Sequence, residues 1–128
     1  MTSLTEQIER TVFHDAELGR CLTEGDSVKL YFRDIALEWG KEEYYSALVT
    51  LSGVREIRRF DEPVAQLTLE GDGSDVLQFR KGEGRALLLI EWHHFQQRVH
   101  ERAHVFAKYE IDYTAYSITV EKQDGLSV

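Results

Sequence analysis

The stretch of sequence that decides the fold runs from Val28 to Trp39 and reads Val-Lys-Leu-Tyr-Phe-Arg-Asp-Ile-Ala-Leu-Glu-Trp. Its apolar residues alternate and then continue with the phase shifted by one position: Val28, Leu30 and Phe32, followed by Ile35, Leu37 and Trp39. Alternation is typical of a β-strand with one buried face. Because one extra residue exchanges the two faces of a strand, a β-bulge near Arg33-Asp34 would turn both sets to the core.

The same two-residue period recurs along the chain from residue 16 onward, and turns that contain glycine separate the segments. Apolar residues alternate at residues 45–51, 65–69, 105–113 and 116–120, and Leu77 and Phe79 lie between the glycine-containing turns at 71–75 and 81–85. About eight strands at intervals of roughly 8 to 12 residues are typical of a sandwich or barrel. We therefore predict a mainly β fold, an antiparallel meander that forms a sandwich or a partly open barrel.

Two further segments complete the predicted architecture. Ser3-Leu-Thr-Glu6 has the form of a capping box, which predicts a short helix over residues 3–11. The run Ala86-Leu-Leu-Leu-Ile90 is apolar on both faces, which predicts a central strand covered on both sides. With no linker in sight, we predict a single domain over residues 1–128, with a β-rich body at 16–122.

Residues 95–106 fit two periods. Phe95, Val99, Ala103 and Phe106 follow helical spacing, whereas Val99, Ala103 and Val105 fit alternation about as well. The alternative to an all-β body is therefore an α+β arrangement with a second helix here.

Composition excludes several classes of function. The chain has 15 Lys+Arg against 23 Asp+Glu, a formal net charge of −8, which opposes binding to nucleic acid. Its longest apolar run is too short to cross a bilayer, and the N-terminus lacks the pattern of a secretory signal. The single cysteine, Cys21, fits a reducing compartment and reads as a small core residue. We expect a cytoplasmic protein without membrane segments.

The sharpest chemical motif is His100-Glu-Arg-Ala-His104, which matches H-E-x-x-H. On a helix, His100 and His104 share one face and can bind zinc, while Glu101 polarises the metal-bound water. Arg102 is unusual in such a helix, and on a strand Glu101 points away from both histidines. A small zinc hydrolase is therefore the alternative function, and zinc is a cofactor under that alternative only; otherwise we expect neither enzyme activity nor a cofactor.

A cluster of aromatic and acidic residues is the candidate protein-binding site: Glu38, Trp39, Glu42, Glu43, Tyr44 and Tyr45. Aromatic rings provide large contact areas at little cost in rotamer entropy. An acidic face steers association with a basic partner. We expect the partner to be another protein, with a basic one favoured. A self-associating structural subunit, a homodimer paired through an exposed sheet edge, is the third alternative.

Phe13-His-Asp-Ala-Glu-Leu18 stands where the predicted helix gives way to the first strand. Asp15 beside His14 suits a general base, but no nucleophile motif accompanies the pair, so we expect the two to close the backbone of this corner. The stretch, followed by a strand and Val28-Lys-Leu-Tyr-Phe32, resembles the start of small uncharacterised bacterial β-rich domains, some of which are similar to immunity proteins of polymorphic toxin systems. The resemblance implies a cytoplasmic, non-enzymatic binding protein of immunity type and supplies no catalytic residues.

Overall fold

A computed structural model describes residues 3–37, 43–95 and 102–123, and at residues 94, 95 and 102–104 it describes the backbone alone. In these ranges the chain forms one helix and nine strands. They are α1 (Leu4–Arg10), β1 (Glu17–Glu24), β2 (Ser27–Ala36), β3 (Tyr44–Ser52), β4 (Glu56–Arg59), β5 (Glu62–Val64), β6 (Gly73–Lys81), β7 (Arg85–Phe95), β8 (Arg102–Asp112) and β9 (Ala115–Lys122). No helix in the described ranges is long and apolar enough to cross a membrane.

The strands form two antiparallel sheets. The first has the order β1-β2-β3-β9 and the second the order β5-β4-β8-β7-β6. Consecutive hairpins build β1-β2-β3 and β6-β7-β8, whereas β9 returns to β3 and β4 pairs with β8. The predicted fold class is confirmed: the described chain is mainly β, its two sheets pack as a sandwich without closing into a barrel, and a short helix precedes them.

The two sheets meet along β6, where the residues that lead into β1 extend the hydrogen bonding. Asp15 N–H donates to the Val76 carbonyl at 2.8 Å, and Val76 N–H donates to the Ala16 carbonyl at 2.7 Å. The buried Ser74 hydroxyl accepts from Leu18 N–H at 3.1 Å. These bonds satisfy backbone groups that would otherwise be orphaned, so residues 15–18 protect the edge of β6 around Val76.

The core lies between the sheets. Phe13, Phe32 and Phe79 pack with ring centroids 4.7 to 5.4 Å apart. Buried Trp92 donates from Nε1 to the Tyr109 hydroxyl at 3.3 Å, so the polar tip of each ring has a partner. Each strand thus contributes alternate side chains to the core and leaves the others on an outer face.

The predicted bulge in β2 is present. The register of β2 against β3 shifts between Phe32 and Ile35, and Asp34 has a φ of 61°. Both Phe32 and Ile35 are buried as a result. Gln123, which follows β9, accepts from Asp34 N–H at 2.6 Å and donates to the Asp34 carboxylate at 3.2 Å. These two bonds hold the bulge in place.

The predicted N-terminal helix is also confirmed. Ser3 caps it by accepting a hydrogen bond from Glu6 N–H at 3.2 Å. Ile8 is fully buried, so this helix of about two turns is anchored by its apolar face.

The predicted strand at 65–69 is wrong. Residues 65–70 lie outside the strands, and only Leu67 of the alternating set is buried, whereas Leu69 is 45% exposed. Leu67 is held from β1, because its N–H donates to the Thr23 hydroxyl at 3.2 Å and its carbonyl accepts from Cys21 Sγ at 3.3 Å. The segment is thus fixed to the body of the protein by Leu67 and not by strand pairing.

The expectation that Ala86–Ile90 is covered on both sides is wrong as well. Ala86, Leu88 and Ile90 are buried, but Leu87 and Leu89 between them are half-buried and face outward. The sandwich has two layers, so nothing in the described chain covers the outer side of β7.

The helix expected as the alternative at 95–106 is wrong where the chain is described. Strand β7 runs to Phe95 and β8 starts at Arg102, with His104 opposite His93 in an antiparallel ladder. Long-range pairing with β7 overrides a helical period that is no stronger than the alternating one. Residues 96–101, which include His100 and Glu101, lie outside the described residues.

Candidate binding surface on the first sheet

The outward side chains of the first sheet form a continuous surface. We call it the first-sheet face; its members are Glu17, Arg20, Leu22, Lys29, Tyr31, Arg33, Tyr44, Ser46, Leu48, Thr50, Ser117, Thr119 and Glu121. Cross-strand pairing places Arg20 beside Tyr31, Tyr31 beside Leu48, and Leu48 beside Thr119. Leu48 therefore lies in the middle of a row that crosses all four strands.

This row forms the floor of a depression of about 380 Å³. The lining side chains are Arg20, Tyr31, Arg33, Ser46, Leu48, Thr119 and Glu121. The β1 ladder is irregular between Leu18 and Arg20, and the β2 ladder between Phe32 and Ile35. Bulges increase the local twist and bend a strand, and the depression lies beside both irregularities.

Gly19 contributes to the depression by lacking a side chain. A Cβ at this position would lie 3.4 Å from Nε of Arg33, at the close limit of ordinary contact. The Arg33 guanidinium occupies that space and bonds Glu17 at 2.7 Å. This hydrogen bond raises the pKa of Arg33 above its usual value, so the arginine remains charged.

Arg20 and Glu121, at the rim of the depression, are not paired with each other as Arg33 and Glu17 are. Arg20 on β1 stacks over the Tyr31 ring, with its guanidinium carbon 5.6 Å from the ring centroid. Within the described ranges, neither Arg20 nor Glu121 on β9 forms an ion pair. One positive and one negative charge therefore flank the depression with solvent as their partner.

Hydroxyl groups complete the lining. Tyr31, Ser46 and Thr119 make no hydrogen bond to other described residues through their side chains. Each hydroxyl both donates and accepts. The depression thus combines an apolar centre at Leu48 with polar groups that can pair with a bound molecule.

The predicted binding residues only partly coincide with this surface. Tyr44, 42% exposed, lies at one end of the first-sheet face, and exposed Glu43 precedes it with a carboxylate 3.8 Å from Lys122 Nζ. Tyr45 instead points inward and packs against the core. The other predicted members, Glu38, Trp39 and Glu42, lie outside the described residues.

Sequence reasoning missed the centre of the surface. The residues of β2 and β3 that face the core are apolar. Tyr31 and Leu48 are also large and largely apolar, but they alternate with those residues and face outward. Large apolar side chains at positions that the alternation assigns to solvent were the sequence signal for this surface. Arg20 and Glu121 could not be singled out, because their closeness depends on the return of β9 to β3.

The outer side of the second sheet differs in its electrostatics. We call it the second-sheet face; its members are Glu56, Arg58, Asp75, Gln78, Arg80, Arg85, Leu87, Leu89, Glu91, His93, Phe106, Lys108, Glu110 and Asp112. Its ion pairs include Arg58–Asp112 at 3.1 Å, Arg58–Glu56 at 3.0 Å, Arg58–Glu110 at 3.9 Å, Arg85–Asp112 at 2.9 Å, Arg85–Glu110 at 3.5 Å and Lys108–Glu110 at 3.5 Å. The Arg58 hydrogen bond lowers the pKa of Asp112 below its ordinary value. Most of its charges thus pair within the chain, and Phe106 remains 57% exposed at one end.

The histidine and cysteine candidates have local partners. His14 Nδ1 donates to the Leu77 carbonyl at 3.1 Å, and its Nε2 lies 3.5 Å from the Asp15 carboxylate, both side chains being exposed. This contact links the corner to the irregular part of β6, as expected for a structural role. Burial raises the pKa of the Cys21 thiol, which keeps it protonated.

The described residues contain no group of three or more side chains that could hold a metal ion. Of the H-E-x-x-H motif, the structure describes only the backbone of Arg102, Ala103 and His104, as part of β8. His100 and Glu101 lie outside the described residues, so the zinc alternative stays a prediction.

Comparisons with known proteins assign the chain to no family. No family model matches the chain, and neither a curated protein nor a solved structure matches it.

Proposed function

We propose that the protein is a non-enzymatic binding module that docks another protein on its first-sheet face. The observation that carries this proposal is the depression around Leu48, where an apolar centre is surrounded by a polar rim. Protein interfaces have the same arrangement, a core depleted in charge within a polar periphery. Tyr31 and Tyr44 add aromatic contact area beside this centre.

The finer proposal is an immunity-type inhibitor that acts in the cytoplasm and binds a toxin protein. Its supports are the resemblance of Phe13–Leu18 to domains similar to immunity proteins and the net charge of −8. The net charge favours the approach of a basic partner to the molecule, while the first-sheet face itself carries Arg20, Lys29 and Arg33 against Glu17 and Glu121. Inhibition by binding requires no catalytic groups, only a surface that covers those of the partner.

The experiment that tests the docking surface uses a photo-crosslinking amino acid at one of two matched positions. Leu48 and Leu89 are both half-buried leucines on central strands, one on each outer face. We expect irradiation in cells that make the protein to yield a discrete protein crosslink from position 48 and not from position 89. The captured protein is then purified and its affinity is measured directly.

Reconstituted binding that depends on Leu48 supports the proposal. A crosslink from position 89 alone, or a captured protein that binds the Leu48→Glu variant as tightly as the wild type, would overturn it. Circular dichroism of each variant shows that the fold is intact.

A second candidate function is self-association through β9. This strand pairs only with β3 in the described part of the chain, which leaves one edge of eight residues without a backbone partner there. Elsewhere, residues 12–18 bond the edge of β6, the side chains of Cys21 and Thr23 on β1 bond Leu67, and the short edge strand β5 contains Pro63. Light scattering at increasing concentration tests this candidate: a two-fold dimer doubles the mass, and a constant monomer mass contradicts it.

A further inference from the structure

We infer that the depression recognises an extended segment of a partner protein that carries an acidic and a basic side chain four residues apart, with an apolar side chain midway. This inference rests on the proposed function and specifies its ligand. Its basis is the juxtaposition of Arg20, Leu48 and Glu121 on one face.

The spacing of the two rim charges fits this ligand. From β1 to β9 there are three interstrand steps, and Glu121 lies two residues beyond the row that joins Arg20 to Thr119. At about 4.8 Å per strand and about 3.4 Å per residue, the two Cα atoms are about 16 Å apart.

The Arg20 side chain shortens this separation. Its guanidinium leans over the Tyr31 ring on the neighbouring strand. The charge is thereby displaced by about one strand spacing, which reduces the distance to Glu121 to about 12 Å. In an extended chain, residues i and i+4 lie about 14 Å apart and point to the same side, so side chains four apart reach both charges.

The centre of the depression favours an apolar side chain at the residue midway between the two charged residues of the segment. In an extended segment, residue i+2 shares the side of i and i+4. It therefore lies over Leu48, which pairs with Tyr31 on one flank and with Thr119 on the other. An apolar side chain there removes the exposed surface of Leu48 from water, and the hydroxyls of Tyr31 and Thr119 remain available to the backbone of the segment.

The remaining charged pair does not change this pattern. Arg33 and Glu17 neutralise each other at 2.7 Å, so their combined charge is zero. The polarity of the depression is consequently set by Arg20 on one side and Glu121 on the other.

The test is an NMR titration of the ¹⁵N-labelled protein with blocked synthetic peptides. The matched peptide has the core Glu-Ser-Leu-Ser-Lys, and two controls carry Glu or Lys at both ends. A fourth peptide has the matched charges three residues apart. We expect the matched peptide to shift the amides of Ser46, Leu48 and Thr119 and to bind about threefold more tightly than each control, the range of an exposed ion pair.

Charge reversal sharpens the test. We expect Arg20→Glu to shift the preference to the peptide with two lysines, and Glu121→Arg to shift it to the peptide with two glutamates. The double variant should bind the matched peptide again, in the opposite chain direction. Both positions are exposed, so folding is preserved, and the dispersion of the NMR spectrum verifies it.

The outcomes separate this inference from the proposed function. Equal binding of all peptides at this face, or preferences that the reversals leave unchanged, would overturn the inference and leave the docking surface intact. Absence of any shift at the face while the Leu48 crosslink succeeds would also overturn the inference alone. Failure of the crosslink would overturn the proposed function itself.

Discussion

The two outer faces of the sandwich differ in where their charges find partners. On the second-sheet face, Arg58 and Arg85 bond Asp112 at 3.1 and 2.9 Å, and other carboxylates surround them. On the first-sheet face, Arg20 and Glu121 have no ion pair in the described chain and flank an apolar depression. Both faces are the solvent side of antiparallel strands. The second-sheet face thus holds most of its charges in ion pairs within the chain, whereas Arg20 and Glu121 of the first-sheet face are left to solvent.

The largest expected effect is on binding. We expect Leu48→Glu to weaken the affinity for the captured partner at least about 30-fold, because it places a charge at the apolar centre of the interface. The matched variant Leu89→Glu should change the affinity less than about twofold. Isothermal titration calorimetry with both variants measures the contrast, and a larger loss at position 89 would exchange the roles of the two faces.

The second prediction concerns acid. Because the pKa of Asp112 in the folded protein lies below its ordinary value of 3.8, its carboxylate stabilises the fold above about pH 4, and this stabilisation is lost as the pH falls through the folded pKa. We expect urea midpoints to fall over this range for the wild type and to fall less steeply for Asp112→Asn. Parallel curves for the two proteins would show that the network of the second-sheet face does not contribute.

The third prediction compares two arginines. We expect Arg85→Gln to lower Tm by about 1 to 4 °C, since it removes exposed ion pairs to Asp112 and Glu110. Arg20→Gln, which loses only its contact with Tyr31, should leave Tm within about 1 °C. Differential scanning calorimetry measures both. A greater loss at Arg20 would mean that it supports the fold.

The smallest effect is expected at Gly19. An added methyl group would stand 3.4 Å from Arg33 Nε and displace this side chain slightly into the depression. We expect Gly19→Ala to weaken partner binding about twofold without a measurable change in Tm. The Gly73→Ala variant, whose added Cβ meets nothing within 4 Å, is the control.

Local sequence patterns predicted much of the fold. The phase shift after Phe32 located a bulge that the structure places at Asp34, and the capping box located α1. These features depend on neighbouring residues, so the sequence displays them. The alternation at 65–69 predicted a strand that is absent. Only Leu67 of this segment is held in place, by hydrogen bonds to Thr23 and Cys21 of β1.

The candidate surface was much harder to predict. Its charges come from β1 and β9, the two edge strands of one sheet, which lie about 100 residues apart in sequence. Nothing local to Arg20 or Glu121 indicates that they share a face. Tyr44 was predicted from its aromatic character alone, and it falls at the end of this surface.

Methyl NMR of the protein in complex with its captured partner tests the central claim most directly, because it observes both faces in one spectrum. The account predicts that the methyl signals of Leu48 shift or broaden at saturation while those of Leu87 and Leu89 stay in place. Perturbation of Leu87 and Leu89 with an unchanged Leu48 would contradict it.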